Sequence, residues 1–204
     1  ELPEYSRHTI ETLRQPLEDG VITVSRVENS VEYPANFTLI ASMNPCPCGN
    51  FGSRDKECKC TPANIQKYLS KLSGPLMDRI DMHLEVDSVK YMDLKNEKLE
   101  EDSLTIKKRV DKARKIQLER FKNTSIFSNS KMTDNMVKKY CKLTETGDMI
   151  LQSAFENLNL SARAYNRILK VARTIADLEN SEDILDEHII EAISYRSLDK
   201  KYWN

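Results

Sequence analysis

Four cysteines that lie close together in the sequence are candidate metal ligands. Cys46, Cys48, Cys58 and Cys60 form two C-x-C pairs separated by nine residues. Four thiolates could bind Zn²⁺ tetrahedrally, although one residue between paired ligands is a tighter spacing than structural zinc sites generally use. Reduced structural thiols and a redox pair are therefore alternatives. The fifth cysteine, Cys141, lies in the helical pattern MVKKYCKL and is interpreted as a small buried apolar residue.

Two polar residues stand where an apolar run meets a loop. Asn44 follows the run FTLIASM, and an amide there could cap a turn before Pro45. Arg79 lies in SGPLMDRID, between Asp78 and Asp81. On local sequence alone, an ordinary ion pair with one of these carboxylates is the simplest interpretation of Arg79.

Arg163 gives a stronger indication of an anionic partner. It lies in LSARAYNRIL, where it falls in the first turn of a predicted helix. A cation at that end meets the positive pole of the helix dipole, so a nearby anion should compensate. Arg167 lies one turn later on the same face and is a weaker candidate for the same anion.

The elements that must position these residues begin with an alternating region. SRHTIETLRQPLEDG predicts a short helix that Ser6 caps and that Pro16 and Gly20 stop. VITVSRV and VEYP, separated by the turn-prone ENS, predict a β-hairpin. The next segment, Phe37 to Met43, is predicted to be a buried strand that ends at Asn44.

A helix and a further strand follow the cysteines. Thr61 and Pro62 supply the N-cap and first residue of a helix over ANIQKYLSKLS, and Gly74 is its predicted stop. RIDMHLEV alternates apolar and polar residues, which predicts a strand with one polar face.

The rest of the chain is predicted to be helical. Residues 87–102 are charged and weakly patterned and predict a connection, and SLTIKKRVDKARKIQLERF predicts a helix with a basic side. That side is most simply a solvated face, with nucleic-acid or subunit contact as the alternatives. FKNTSIFSNSK predicts a linker, and only helices are predicted beyond it. A boundary near residue 128 would therefore separate an α/β part from an all-α part.

Composition excludes some classes of function. The 204 residues are 39% hydrophobic and carry a net charge of -1, so nucleic-acid or membrane binding would have to be local. The sequence contains neither an apolar run long enough to span a bilayer nor a signal peptide, and we expect a cytoplasmic protein without membrane partners. Because the chain begins with Glu1 rather than Met, we expect it to be a piece of a longer protein.

Several segments, in this order, closely resemble the Mg-chelatase-like AAA+ ATPases of the ComM/YifB group. They are LPEYSRHTIETLRQPLEDG, TVSRVENSVEYPANF, MNPCPCG, SGPLMDRIDMH and LSARAYNRILKVARTIADLE through YRSLD. The resemblance covers nearly the whole chain and implies an α/β plus all-α fold. Residues 1–127 would be the C-terminal part of an AAA+ (P-loop NTPase) core with a β-hairpin insertion, and residues 128–204 would be a helical lid.

The resemblance also implies roles in the hydrolysis of ATP with Mg²⁺. Glu1 matches the Walker B glutamate that activates water, and Asn44 matches the sensor 1 residue that contacts the γ-phosphate or the water. Arg79 matches an arginine finger that acts on the nucleotide of a neighbouring subunit. Arg163 matches the lid's sensor 2 residue, with Arg167 as a weaker candidate for binding the same phosphate.

The chain lacks one essential part of such a site. G-x-x-x-x-G-K-[ST] does not occur in the sequence, so we expect residues 1–204 alone not to hydrolyse ATP. The longer protein is expected to form a ring, most simply a hexamer, and to remodel DNA in recombination or natural transformation. The alternatives are a chelatase-type ATPase that drives metal insertion into a tetrapyrrole, and a non-enzymatic binding module stapled by zinc.

Overall fold

The computed structural model describes residues 1–27, 29–53, 55–86, 95, 101–196 and 198. Contacts within the chain divide it into two units, and their described parts fall within residues 1–80 and 81–198. The predicted connection over 87–102 lies mostly outside the described residues. None of the described helices has the length and apolar character needed to cross a membrane.

The first unit contains a hairpin and short helices, and the second contains helices among its described residues. The elements of the first are a 3₁₀ turn (Leu2–Glu4), α1 (Arg7–Glu11), α2 (Arg14–Asp19), β1 (Val21–Ser25), β2 (Ser30–Pro34), α3 (Pro62–Leu69) and α4 (Gly74–Met77). The second contains α5 (Ser103–Arg120), a 3₁₀ turn (Asn129–Lys131), α6 (Asp134–Tyr140), α7 (Glu145–Asn157), α8 (Ala162–Leu178) and α9 (Asp186–Ser194).

Local capping signals determine where several helices of the first unit begin and end. The side chains of Ser6 and Thr61 each accept a backbone N–H three residues later, and Pro62 is the first residue of α3. Gly20 ends α2 with a φ of 69°, a left-handed conformation that glycine adopts without steric cost. Pro16 does not stop the helix as predicted but lies within the first turn of α2, where a missing N–H is tolerated.

Gly74 begins a helix instead of ending one, which corrects the sequence prediction. Helix α3 ends at Leu69, and Ser73 caps α4, whose first residue is Gly74. The Ser73 side chain accepts the Leu76 N–H, so the SGP sequence is a helix start. Helix α4 then contributes to the core of the first unit, whose buried residues are Ile10, Leu72, Leu76 and Met77.

The hairpin is confirmed, but the buried strand predicted after it is not. Strands β1 and β2 pair antiparallel, with Val21 opposite Pro34 and Ser25 opposite Ser30. Residues 37–43 belong to no strand of the described chain, and Phe37 and Ile40 are 47% and 91% exposed. An apolar run indicates a strand only where a neighbouring strand pairs with it, and the described residues supply no ladder there.

The predicted strand over RIDMHLEV is also absent from the structure. Residues 81–86 form no strand, and Leu84 and Val86 are exposed, whereas the polar His83 is buried. The alternation is present in the sequence, but without a paired neighbour it does not bury the apolar positions.

The second unit has one hydrophobic core shared by its helices. The predicted all-helical character of the later chain is confirmed in the described residues, and the predicted helix over 103–121 is α5. Segment 121–131 is not a linker as predicted, because Phe121 and Asn129 are buried within this unit. The remaining buried apolar residues of the core are Met132, Val137, Cys141, Leu151, Leu160, Ala164, Ile168, Leu169, Ala172, Ile175, Ala176, Ile184, Ile189 and Ala192.

A buried carboxylate joins α5, α8 and the turn between α5 and α6. Asp177 is 1% exposed and accepts from Arg120 Nη1 at 2.7 Å, from Asn129 Nδ2 at 2.8 Å and from Arg173 Nε at 3.1 Å. Arg173 also donates to the carbonyl groups of Ser181 and Glu182, beyond the end of α8. The network explains why segment 121–131 packs in the core, because the side chain of its polar residue Asn129 is hydrogen-bonded there.

Replacing Asp177 by Asn removes the negative charge between two guanidinium groups with little change in size. We expect the free energy of unfolding of the chain to fall by about 3–5 kcal/mol, because one partner of a buried charge pair is lost. Urea denaturation would measure it. The control Asp111→Asn breaks the exposed pair with Lys107 and should cost less than about 1 kcal/mol. Equal losses in the two variants would contradict the role assigned to Asp177.

Candidate functional site

The start of the chain runs beside the segment that leads to Asn44. The Leu2 N–H donates to the Ser42 carbonyl at 2.9 Å. Met43 packs against the core of the first unit, whereas Glu1 and Asn44 are exposed. The structure therefore brings two of the predicted site residues, Glu1 and Asn44, to neighbouring stretches of backbone with their side chains accessible.

The four cysteines of the loop after Asn44 converge. The sulfur of Cys46 lies 3.4 Å from that of Cys48 and 3.7 Å from that of Cys58, and the sulfurs of Cys48 and Cys58 are 3.6 Å apart. With Cys60, all four sulfurs lie within 4.8 Å of one another. Metal–sulfur bonds of about 2.3 Å in a tetrahedron separate the sulfurs by about 3.8 Å. The arrangement fits a tetrahedral metal–thiolate centre.

Backbone N–H groups surround these sulfur atoms. The Phe51 N–H donates to Cys46 Sγ at 3.3 Å. Backbone hydrogen bonds from Asn50 and Lys59 lower the pKa of the Cys48 thiol to about 6, whereas desolvation and the neighbouring thiols raise the pKa values of Cys58 and Cys60. Such donors stabilise negative charge on sulfur, as metal ligation by thiolates requires.

Two glycines allow the loop to turn back on itself. Gly49 and Gly52 have φ angles of 77° and 79°, which other residues adopt only with strain. A Cβ added to Gly49 would lie 3.9 Å from the side chain of Asn44. The turn after Cys48 therefore passes in van der Waals range of Asn44, and the cysteine loop forms one side of its surroundings.

Arg79 is held within its own chain. Its Nε lies 2.9 Å from Glu18 Oε2, and its Nη1 donates to the Pro75 carbonyl at 2.5 Å. The side chain of Arg79 is 11% exposed. Among the described residues, Arg79 forms its ion pair with Glu18 of α2 and not, as the sequence predicts, with Asp78 or Asp81.

The two candidate arginines of α8, Arg163 and Arg167, differ in their surroundings. Arg163 is exposed in the first turn of α8, whose N-cap is Ser161. Arg167 forms an ion pair with Asp81, and its side chain is 20% exposed. Arg163 is the more exposed of the two and lies nearer the N-terminus of α8, where the helix dipole also favours an anion.

Sequence reasoning missed the carboxylates that hold these arginines. Glu18 lies in QPLEDG and Asp81 in RID, and each is remote in sequence from the arginine that it contacts. No periodicity or spacing links such residues. The only available signal was that both lie in segments that also carry the family resemblance.

Comparison with known proteins covers almost the whole chain. Residues 1–94 match the family described as magnesium chelatase, subunit ChlI, and residues 100–196 match its C-terminal family. The chain is 40% identical over 199 residues to competence protein ComM of Haemophilus influenzae, with 97% of the chain aligned. It is 41% identical over 201 residues to the uncharacterised protein YifB of Salmonella typhimurium and 40% identical to that of Escherichia coli.

The aligned region is a minor part of these relatives. The chain spans 38% of the length of each of the three, and 97% or 98% of the chain takes part in the alignments. The two adjoining family matches and the near-complete alignments agree with the motifs of the sequence. The chain belongs to the magnesium chelatase ChlI family and, within it, to the group of ComM and YifB.

Proposed function

We propose that this chain is the sensor, arginine-finger and lid portion of an AAA+ ATPase that couples ATP hydrolysis to remodelling of DNA in recombination or natural transformation. The observation that carries the proposal is the placement of Asn44 beside the Glu1 segment, in a chain of this family. Phosphoryl transfer needs a group that activates water and donors that reach the γ-phosphate. Glu1 would supply the first, and Asn44 and the exposed Arg163 would supply the second.

The exposed apolar run before Asn44 supports this placement. In an AAA+ core, residues 37–43 would be the sensor 1 strand of a parallel sheet, and neighbouring strands would cover Phe37 and Ile40. The relatives are longer than this chain and have room for such strands and for a phosphate-binding loop. ATP and Mg²⁺ would then bind between that loop and the Glu1 and Asn44 segments.

Arg79 is proposed to act on the nucleotide of a neighbouring subunit. An arginine finger stabilises charge that develops in the transition state, and in ring ATPases it comes from the adjacent copy. The longer protein would accordingly assemble with itself into a ring, for which we propose a hexamer. Arg167 is assigned a lesser part in phosphate binding because Asp81 already pairs with it.

The choice of DNA as substrate rests on a relative. The Haemophilus influenzae relative is named competence protein ComM, and this name supports DNA as the substrate. The description of the matching family, magnesium chelatase subunit ChlI, supports the second candidate, metal insertion into a tetrapyrrole. The four-cysteine loop lies beside Asn44 in either case and does not distinguish them.

We expect ATP turnover by a full-length family protein that contains this chain to require Mg²⁺ and to rise several-fold with DNA. A steady-state assay with single-stranded, duplex and forked DNA would measure it. Residues 1–204 alone, which lack G-x-x-x-x-G-K-[ST], are the control and should show no turnover. Stimulation by a tetrapyrrole with Mg²⁺ and none by any DNA would instead support the chelatase function.

We also propose that Cys46, Cys48, Cys58 and Cys60 bind one structural Zn²⁺. The sulfur separations support it, and four thiolates leave no open coordination position for water, so the ion would brace the loop and take no part in hydrolysis. Cys141 is excluded as a ligand because it is buried in the helical unit, where burial raises the pKa of its thiol to about 11.

The purified chain is expected to carry about one zinc per molecule and to release it to a chelator, which frees four reactive thiols. Elemental analysis and thiol titration under reducing conditions would measure both. Cys58→Ser should reduce zinc content to near zero, whereas Cys141→Ala, the control, should leave it unchanged. A chain without metal, or equal zinc in Cys58→Ser and the unaltered chain, would leave the four cysteines as structural thiols.

A further inference from the structure

We propose that Glu18 is a positioning residue for Arg79: it holds the guanidinium group in the orientation from which Arg79 acts on a neighbouring subunit's nucleotide. The inference rests on the proposed function of Arg79. It starts from the ion pair between Arg79 Nε and Glu18 Oε2 at 2.9 Å, which joins two helical segments remote in sequence. Glu18 itself would contact neither the nucleotide nor the water molecule that attacks it.

The two residues are attached to one packed core. Glu18 lies on α2 next to Leu17, and Arg79 follows Met77 at the end of α4. Leu17 packs against the cluster that contains the buried Leu76 and Met77. Because packed cores resist small displacements, the carboxylate is presented to Arg79 from a fixed position.

An ion pair and a hydrogen bond restrict the Arg79 guanidinium group. Glu18 Oε2 lies beside Nε without accepting its N–H, which has no hydrogen-bond partner among the described residues, and the Pro75 carbonyl accepts from Nη1. Because a guanidinium group is planar, the charge of Glu18 and the single hydrogen bond limit the orientations that the group can adopt. An arginine that is already oriented needs little reorganisation when charge develops on a phosphate.

Limited exposure distinguishes this pair from an ordinary surface pair. The side chains of Arg79 and Glu18 are 11% and 32% exposed, compared with 51% and 39% for the surface pair of Arg109 and Glu101. The Arg79 guanidinium is thus largely shielded from water, where the orienting effect of a carboxylate is stronger. The exposed Arg109–Glu101 pair offers a control for the same substitution.

Steady-state ATPase kinetics of a full-length family protein that contains this chain would test the inference. Glu18→Gln should lower kcat by about tenfold or more, because misplacement of a transition-state group is costly, with KM for ATP changed by less than about twofold. Glu18→Asp keeps the charge and should retain more activity than Glu18→Gln. The control Glu101→Gln, in the exposed pair with Arg109, should match the unaltered protein.

Combining Glu18→Gln with Arg79→Ala separates positioning from a general structural effect. If Glu18 acts through Arg79, the double variant should be no slower than Arg79→Ala alone. Thermal unfolding of the same variants checks that the melting temperature of Glu18→Gln is close to that of Glu101→Gln.

The two proposals fail in different ways. Full activity of Arg79→Ala would end the arginine-finger assignment and, with it, this inference. An inactive Arg79→Ala with an unchanged or faster Glu18→Gln would overturn the positioning role alone. A further loss in the double variant relative to Arg79→Ala would also overturn it, because Glu18 would then act by another route.

Discussion

Extended backbone is stable in a protein interior only when its N–H and C=O groups are paired, and this constraint governs the segment before Asn44. Residues 37–43 are a mainly apolar segment suited to a buried strand, yet the structure places most of them at the surface. The contact of Leu2 with Ser42 fixes only the end of the run. The candidate site lies at that fixed end, so its geometry depends on how the rest of the run is paired.

Features that arise from a few adjacent residues could be predicted from the sequence. Ser6 and Thr61 cap helices, and Gly20 ends one, because capping needs only residues within a single turn. The prediction for Gly74 is wrong because a glycine after a helical pattern can end that helix or begin the next one. Here Ser73 is the N-cap of the following helix, so Gly74 begins α4.

Features that depend on distant partners could not be predicted. The strands predicted over 37–43 and 79–86 are absent from the described structure, because pairing is a property of two segments. The sequence likewise gives no indication of the ion-pair partners of Arg79 and Arg167. The polar stretch around Asn129 is typical of a linker, although Asn129 donates a hydrogen bond to the buried Asp177. The cysteine cluster could be predicted only in part. The spacing of the four cysteines indicates four candidate ligands, but the distances between their sulfur atoms depend on how the loop folds.

In the proposed mechanism, Asn44 and Arg163 would contact the nucleotide of their own subunit and Arg79 that of the next. The most direct measurement is the structure of an assembled full-length family protein that contains this chain, with Mg²⁺ and a non-hydrolysable ATP analogue. We expect Asn44 and Arg163 to lie within hydrogen-bond distance, about 2.7–3.2 Å, of the γ-phosphate of their own subunit, with Arg79 reaching it from the neighbouring one. A γ-phosphate that contacts none of these three residues would contradict the proposed mechanism.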